Sequence, residues 1–111
     1  MDDSTRYRIL KLLHHRPELT QRELAREMGI SLGKTNFCLQ ALIKKKAIKA
    51  RNFRNAKKKV AYLYNLTPAG LEEKARVTKR FLTRKLAEYE EIQQQFAELE
   101  ADVAQLNNLE A

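Results

Sequence analysis

A pair of short helices near the start of the chain is the feature that most constrains the fold. Thr20 and Glu23 have the spacing of a capping box, in which each side chain bonds the other residue's backbone. Leu19 and Leu24 have the spacing of a hydrophobic staple around the same helix start. Gly29 can take the left-handed conformation that ends a helix, and another helix opens two residues later. Two short helices joined by a tight, glycine-containing turn predict a helix-turn-helix.

The segment before this pair predicts one more helix. Apolar residues recur there at helical spacing over residues 4–15. Either Asp3 or Ser4 can cap the start of this helix, and Pro17 stops it.

The segment after the pair changes from helical to strand patterning. Two β-prone runs, residues 47–53 and 60–66, predict a hairpin with a basic tip. Thr67 and Pro68 then provide an N-cap and a proline at the first helical position, and the sequence stays helix-prone to its end.

These elements together define the predicted fold class, which is mainly α with a small β-hairpin. Residues 1–70 form a winged helix-turn-helix DNA-binding domain in which the hairpin is the wing. Residues 71–111 form a long, coiled-coil-like C-terminal helix for dimerisation. With 111 residues and 43% hydrophobic content, the chain has the material for one small core.

The third helix is predicted to have an apolar side and a polar side. The apolar side comprises Leu32, Thr35, Leu39, Leu42 and Ile43. The opposite side comprises Gly33, Lys34, Phe37, Gln40, Ala41 and Lys44, with Ser31, Asn36 and Cys38 at its edges. Gln and Asn can bond an adenine edge, Lys can bond guanine, and an exposed Phe can contact a thymine methyl group. The polar side is therefore predicted to read bases; the alternative is that Phe37 packs against the wing and the polar residues only keep the helix solvated.

Positive charge is concentrated where phosphate contact is predicted. All 22 Lys and Arg lie in residues 1–85 with seven of the 14 acidic residues, so this part carries +15 and the last 26 residues carry −7. Lys34 lies in the first helical turn, where the helix dipole disfavours a cation unless a phosphate arrives there. The basic wing tip indicates phosphate contact too, the alternative being a solvated hairpin end that discourages edge-to-edge pairing. The predicted DNA-binding residues are Thr20, Gln21, Arg22, Ser31, Gly33, Lys34, Asn36, Phe37, Gln40, Arg51, Arg54, Asn55, Lys57, Lys58 and Lys59.

The C-terminal helix carries a heptad repeat from residue 82 onward, with seven of eight core positions apolar and Lys85 the exception. An apolar face of this kind predicts a partner helix, and a second copy of the chain is the simplest source. Folding back on the first helix of the same chain is the alternative. The predicted dimer-interface residues are Leu82, Leu86, Tyr89, Ile92, Phe96, Leu99, Val103 and Leu106.

Residues typical of an active site or a metal centre are sparse. His14 and His15 are adjacent on a helix, so they point about 100° apart and cannot readily share a metal. Cys38 is a lone cysteine, and no glycine loop for phosphate is present. We expect no enzymatic activity, no metal and no cofactor. The lone cysteine and the charged start favour the cytoplasm, and no apolar run approaches the roughly 18 residues of a membrane helix.

The order of elements and several motifs resemble the MarR family of winged helix-turn-helix transcriptional regulators over roughly residues 5–90. Within that family the chain is most similar to the short subgroup associated with extracellular polysaccharide (EPS) gene clusters. The motifs are Thr20-Gln21-Arg22-Glu23-Leu24-Ala25, Gly29-Ile30-Ser31, Lys34-Thr35-Asn36, Leu39-Gln40-Ala41-Leu42-Ile43 and Leu66-Thr67-Pro68-Ala69-Gly70.

This resemblance implies a dimeric bacterial transcription factor whose third helix enters the major groove and whose wing reaches the backbone or the minor groove. Two departures from the family matter. Lys46 stands where related sequences usually have Gly, which predicts a differently shaped helix end. The long N-terminal helix of larger members is missing, and with it much of the usual ligand pocket, so no small-molecule effector is expected.

The sequence therefore predicts a homodimeric regulator that binds specific sites on double-stranded DNA, with two recognition helices about 34 Å apart. Two other functions remain open. A protein-interaction adaptor would bind without regard to duplex sequence, and an RNA-binding winged helix would prefer structured RNA to duplex DNA.

Overall fold

The structure is a computed structural model that describes residues 1–54 and 60–110. Within these ranges the elements are α1 (Asp3–His15), α2 (Gln21–Met28), α3 (Leu32–Lys44), β1 (Ile48–Arg54), β2 (Val60–Leu66) and α4 (Pro68–Glu110). The two strands pair antiparallel, with Ile48 opposite Leu66. The predicted fold class is confirmed, because a winged helix-turn-helix is followed by one long C-terminal helix.

The first helix begins one residue earlier than predicted. Asp2 is its cap, since the Asp2 carboxylate accepts a hydrogen bond from the Thr5 N–H at 2.7 Å. The prediction that Asp3 or Ser4 caps α1 is therefore wrong. Asp3 lies instead in the first turn, where its negative charge is favourable to the helix dipole.

The second helix begins and ends as predicted. The Thr20 hydroxyl accepts from the Glu23 N–H, and the Glu23 carboxylate accepts from the Thr20 N–H, both at 3.1 Å. Gly29 ends α2 with φ 66. Its N–H donates to the Arg26 carbonyl at 3.2 Å, and the next N–H, that of Ile30, donates to a carbonyl five residues back.

The third helix ends with the same pair of bonds, although no glycine is present. The Lys46 N–H donates to the Ile43 carbonyl and the Ala47 N–H to the Leu42 carbonyl, both at 2.9 Å. This is the Schellman arrangement, which requires a left-handed residue, and Lys46 adopts φ 61. The prediction of a differently shaped helix end is wrong, because Lys46 takes the conformation that glycine favours.

The hydrophobic core joins α1, α2, α3 and the hairpin. Its largest fully buried apolar side chains are Ile9, Leu10, Leu13, Leu19, Leu24, Leu39, Leu42 and Ile48. The β2 strand is held to the loop after α1 by the Tyr64 N–H, which donates to the Pro17 carbonyl at 3.0 Å. The helix-turn-helix and the start of the wing therefore share one core.

Two assignments on α3 need correction. Cys38, predicted at the edge of the polar side, is only 2% exposed and belongs to the core. Leu32, predicted on the apolar side, is 40% exposed. Since α3 packs against both α2 and β1, the core covers more of its later turns than one apolar stripe indicates.

The start of α4 is joined to the end of α3 through Thr67. Its N–H donates to the Ala47 carbonyl at 3.0 Å, and its hydroxyl donates to the Lys46 carbonyl at 2.6 Å. The same hydroxyl accepts from the Gly70 N–H at 3.0 Å, which confirms Thr67 as the cap of α4. A Cβ on Gly70 would lie 1.9 Å from the Ala47 carbonyl oxygen, so only glycine fits there.

The chain divides into two compact units, residues 1–79 and the residues from 80 onward, and α4 runs through both. The first unit contains the core and the fully buried Val77 of α4. None of the helices in the described ranges is long and apolar enough to cross a membrane.

Candidate nucleic-acid interface

The start of α3 is held in place by Ser31. The Ser31 hydroxyl accepts from the Lys34 N–H at 3.0 Å, and the Thr35 hydroxyl donates to the Ser31 carbonyl at 2.9 Å. Thr35 is fully buried, so this second bond anchors the first turn to the core. The hydroxyl of Ser31, a predicted DNA-binding residue, is thus engaged as the helix cap.

The side of α3 that faces away from the core presents the predicted base-reading residues together. Gly33, Lys34, Asn36, Phe37 and Gln40 are all exposed. Asn36 and Gln40 have no side-chain hydrogen-bond partner among the described residues, so their amides are available to an external ligand. The predicted polar side of the helix is therefore present along α3.

Phe37 is 67% exposed, which leaves an aromatic ring in solvent in the middle of this surface. The groove that it lines is formed by Met1 and by residues of α1, α3 and the start of α4, such as Arg6, Ala41 and Ala69. Packing of Phe37 against the wing, the alternative considered from the sequence, does not account for this exposure.

Fewer side chains at the start of α2 are available to bind a ligand than the sequence predicts. The Thr20 hydroxyl is engaged in the capping box. The Gln21 side-chain amide donates to the Tyr64 hydroxyl at 3.1 Å, which joins α2 to β2. Arg22 is exposed, and its side chain makes no hydrogen bond or ion pair within the described part of the chain. Of these three predicted residues, Arg22 is therefore the one with a side chain available to bind DNA.

The wing is described up to its tip. Arg51 is exposed, and its guanidinium donates to the Asn65 side-chain carbonyl at 3.2 Å across the hairpin. Arg54 is the last residue of β1. The predicted contacts by the side chain of Arg54 and by Asn55, Lys57, Lys58 and Lys59 lie outside the described residues.

Charge is strongly biased around these residues. Residues 28–71 contain no Asp or Glu and ten Lys or Arg. Lys44, Lys45 and Lys49 are exposed at the end of α3 and the start of β1. Lys44 belongs to the predicted polar side of α3, whereas Lys45 and Lys49 are outside the predicted binding residues. The length of the acid-free stretch is the sequence signal that adds Lys45 and Lys49 to the candidate phosphate contacts.

Asp2 is an acidic group close enough to α3 to interact with it. The pKa of Asp2 is lowered, first because its carboxylate accepts the Thr5 backbone N–H and further because Lys34 attracts its negative charge. Asp2 is nevertheless almost fully exposed, so water and salt screen this attraction. Lys34 therefore keeps its positive charge available beside the start of α3.

The predicted dimer-interface residues of α4 share one property, which is that each is 52–63% exposed. They recur at three- and four-residue spacing along the helix and form a continuous apolar face. No group of three or more metal-ligating side chains occurs among the described residues.

Comparisons with known proteins agree with this geometry. Residues 2–49 match the protein-family model described as "Winged helix-turn-helix DNA-binding". The structure of Staphylococcus aureus MepR in a DNA complex is similar with a TM-score of 0.61 at 22% identity, covering 92% of this chain and 76% of that one. S. aureus MarR in complex with salicylate and kanamycin is similar with a TM-score of 0.55 at 23% identity, covering 75% of this chain. A MarR/EmrR family regulator from Acinetobacter sp. ADP1 gives a TM-score of 0.59 at 20% identity, covering 91% of this chain and 75% of that one.

The extent of the likeness is also limited. The chain spans 54% of the length of the S. aureus MarR chain. No curated protein matches the sequence. What the likenesses show is the fold: the chain has the winged helix-turn-helix architecture of these MarR-type regulators, and its residues 2–49 match DNA-binding domains of this kind.

Proposed function

We propose that this protein is a transcriptional regulator that binds specific sites on double-stranded DNA as a homodimer. The observation that carries the proposal is the exposed face of α3, where unpartnered amide side chains and a lysine stand together within an acid-free, basic stretch of the chain. In this proposal α3 enters the major groove, and the wing contacts the phosphate backbone or the minor groove.

Sequence choice is assigned to Asn36 and Gln40. A side-chain amide can donate to one atom of an adenine edge and accept from another, so each can distinguish adenine from the other bases. Phe37, exposed between them, can contact a thymine methyl group. The three side chains are available for this role because the core is built from other residues of α3.

Gly33 supports a close approach by the DNA backbone. It lies in the first turn of α3, and glycine is less favourable than alanine in a helix, by about 0.5–1 kcal/mol in the helix middle. A Cβ at this position would meet no atom of the described residues within 4 Å, so packing against them does not require a glycine. A phosphate that comes close to the N-terminus of α3 would require it, and Lys34 beside it supplies the matching charge.

Affinity is assigned to the surrounding cations. Each Lys or Arg that neutralises a phosphate releases condensed counterions, so binding weakens as salt rises. Lys34, Arg22 and Arg51 are the predicted cationic contacts whose side chains are exposed in the described residues. The wing-tip residues Arg54, Asn55, Lys57, Lys58 and Lys59 belong to the same proposal on sequence grounds.

Dimerisation is assigned to the apolar face of α4. A row of half-exposed Leu, Ile, Phe, Tyr and Val side chains costs free energy in water and is stabilised by a second helix. Two protomers joined in this way would present two α3 helices to half-sites about one DNA turn, roughly 34 Å, apart.

The sequence resemblance extends the proposal to a biological setting. We assign the protein to the MarR family and to its short subgroup linked to EPS genes, acting in the bacterial cytoplasm. The similarity over roughly residues 5–90 supports this assignment, and regulation of polysaccharide genes rests on that resemblance alone.

The test is selection of random duplex DNA on the purified protein, followed by binding of the selected duplex and a scrambled duplex at two salt concentrations. We expect an inverted-repeat site that is preferred about a thousandfold or more. Equal binding to both duplexes, lost together as salt rises, would leave only phosphate attraction. Tighter binding to structured RNA would favour the RNA-binding alternative, and binding that ignores duplex sequence would favour the adaptor.

Matched variants assign roles on α3. Gln40→Ala should cost about 1–3 kcal/mol on the selected site and relax base preference at one position. Gln94→Ala, at an exposed glutamine of α4, is the control and should leave binding unchanged. Lys34→Ala should weaken binding to the selected and the scrambled duplex alike. It should also lower the slope of the logarithm of the binding constant against the logarithm of the salt concentration by about one unit. Gly33→Ala should weaken binding while leaving the fold at least as stable.

A further inference from the structure

The charge of α4 is divided along its length. Residues 74–85 contain six basic residues and no acidic one, whereas residues 86–110 contain seven acidic residues and no basic one. The repeat of the later core positions continues in sequence toward the start of the helix, at Leu71, Ala75 and the polar Thr78. One helix therefore carries two oppositely charged halves of a single seam.

The early half of the seam borders a groove in the first compact unit. Leu71, Ala75 and Thr78 line it together with His14 of α1, and its volume is about 410 Å³. Lys74 stands at its edge and donates to His14 Nδ1 at 2.9 Å. The groove is mostly apolar inside and basic at the rim. Its small Ala and Thr side chains leave room for larger side chains from outside.

The late half of the seam has the complementary chemistry. Its apolar residues Phe96, Leu99, Val103 and Leu106 are large and more than half exposed. Glu100 and Asp102 flank these core positions and Glu98 lies further round the helix, and all three are negative. A second copy of this chain thus supplies what the early half accepts, provided that the two helices run in opposite directions.

We propose that two copies pair through antiparallel α4 helices, with Leu82 opposite the partner's Leu99. This inference rests on the proposed homodimer and adds the direction and register of its helices. In this register the basic stretch 79–85 lies opposite the partner's residues 96–102, which contain three acids. Val103 and Leu106 of each copy lie opposite the partner's Thr78 and Ala75.

Parallel pairing brings like charges together. It places the six basic residues of one copy beside the same six of the other, and the acidic halves beside each other. It also places Lys85, a core position of the repeat, opposite the partner's Lys85 in the seam. Antiparallel pairing places Lys85 opposite the partner's Phe96, whose ring face can accept a cation. Like charges at facing positions oppose association, so the antiparallel direction is favoured.

The register follows from the same charges. If one helix is shifted by one heptad so that Leu82 lies opposite the partner's Leu106, the acidic residues at 98–102 lie opposite a partner segment that contains Glu88 and Glu90. The opposite shift places Leu82 opposite the partner's Ile92 and moves the same acids against residues 72–76, which hold two acids beside two cations. Leu82 against the partner's Leu99 is the arrangement in which apolar positions meet and the acids at 98–102 face residues 79–83, which contain Lys79 and Arg80 and no acidic residue.

Disulfide trapping in the full chain tests direction and register together. The single variants Leu82→Cys, Ile92→Cys, Leu99→Cys and Leu106→Cys are purified, and Leu82→Cys is oxidised alone and mixed with each of the others. A disulfide needs Cα atoms within about 7 Å, whereas in the proposed register two copies of the cysteine at position 82 lie about 25 Å apart along the helix axis. The wild-type chain, with its buried Cys38, is the control and should give no disulfide-linked dimer.

We expect the mixture of Leu82→Cys with Leu99→Cys to form a disulfide-linked dimer and neither variant to do so alone. Dimers from Leu82→Cys alone and from Leu99→Cys alone would show parallel pairing and overturn the proposal. A disulfide-linked dimer of Leu82→Cys with Ile92→Cys or with Leu106→Cys, in place of Leu99→Cys, would overturn the register. A chain that stays monomeric at all concentrations would overturn the homodimer as well. DNA selectivity, measured separately, decides the regulator function independently of these outcomes.

Removing charge gives a second test whose sign depends on direction. The triple variant Glu98→Gln, Glu100→Gln, Asp102→Asn loses attraction to the partner's basic stretch in the antiparallel dimer, but loses repulsion in a parallel one. We expect the dimer dissociation constant to rise at low salt and the difference from wild type to shrink at high salt. A dissociation constant that falls in the triple variant would overturn the antiparallel arrangement.

Discussion

Replacing Lys46 by glycine should stabilise the protein, whereas replacing its neighbour Lys45 should destabilise it. Lys46 has φ 61, in the left-handed region. Lys45 has φ −79 and ψ −1, in the right-handed helical region. The two variants remove the same side chain and the same charge from adjacent positions. Their comparison therefore isolates the backbone conformation at the end of α3.

The magnitude follows from opposing backbone terms. A left-handed conformation costs a residue with a side chain about 1–2 kcal/mol. Glycine removes this cost, but its greater freedom in the unfolded chain lowers the free energy of unfolding by roughly 0.4–1 kcal/mol. We expect Lys46→Gly to gain about 0.5–1 kcal/mol after subtraction. Lys45→Gly relieves no strain and should lose about 0.5–1 kcal/mol.

Thermal unfolding followed by circular dichroism measures the difference, at one protein concentration because self-association shifts the midpoint. A change of 1 kcal/mol moves the midpoint by about 4–8 °C in a domain of this size. The two variants should therefore lie on either side of wild type and be separated by roughly 4–16 °C. If Lys46→Gly unfolds at the same temperature as Lys45→Gly or below it, the assignment of backbone strain to Lys46 is wrong.

Two further predictions concern other local contacts. Gly70→Ala should destabilise the fold by about 2 kcal/mol or more, since its Cβ would overlap the Ala47 carbonyl. Gly33→Ala, with open space around it, should raise the free energy of unfolding by up to about 1 kcal/mol. Urea unfolding of both variants checks the contrast. The pKa of Glu23 is lowered because its carboxylate accepts the Thr20 backbone N–H. The hydrogen bond to the charged carboxylate therefore stabilises the fold fully above the ordinary glutamate pKa of 4.5, and this stabilisation is lost as the pH falls through the lowered pKa. Glu23→Gln keeps a side chain that can accept this bond but does not titrate, so the variant should lose less stability than wild type between neutral pH and about pH 3; parallel pH profiles of the midpoint would contradict this.

The elements that the sequence predicts correctly depend on short-range rules. The capping box at Thr20, the left-handed Gly29 and the cap at Thr67 each involve bonds between residues a few positions apart. Such contacts depend little on the remainder of the fold, so residue type and spacing are enough to identify them. The strand pattern of the wing is local in the same sense.

The features that the sequence does not predict depend on distant partners. The Gln21 amide is engaged by Tyr64, which lies 43 residues away. Gly70 is required by the backbone of Ala47, from another part of the fold. Cys38 is buried because α3 packs on two neighbours, which a helical wheel of α3 alone does not contain. The direction of pairing on α4 is of the same kind, since it belongs to a second chain.

The hydroxyl of Thr67 has a mechanical consequence. Through it the carbonyl of Lys46, at the end of α3, and the N–H of Gly70, in the first turn of α4, are bonded to one atom. The two helix ends therefore cannot move apart at this point without stretching or breaking one of these hydrogen bonds. A displacement of the first turns of α4 must either break these bonds or carry the end of α3 with it. A force on the first turns of α4 would accordingly reach the end of α3, the helix assigned to base reading, through the Thr67 hydroxyl.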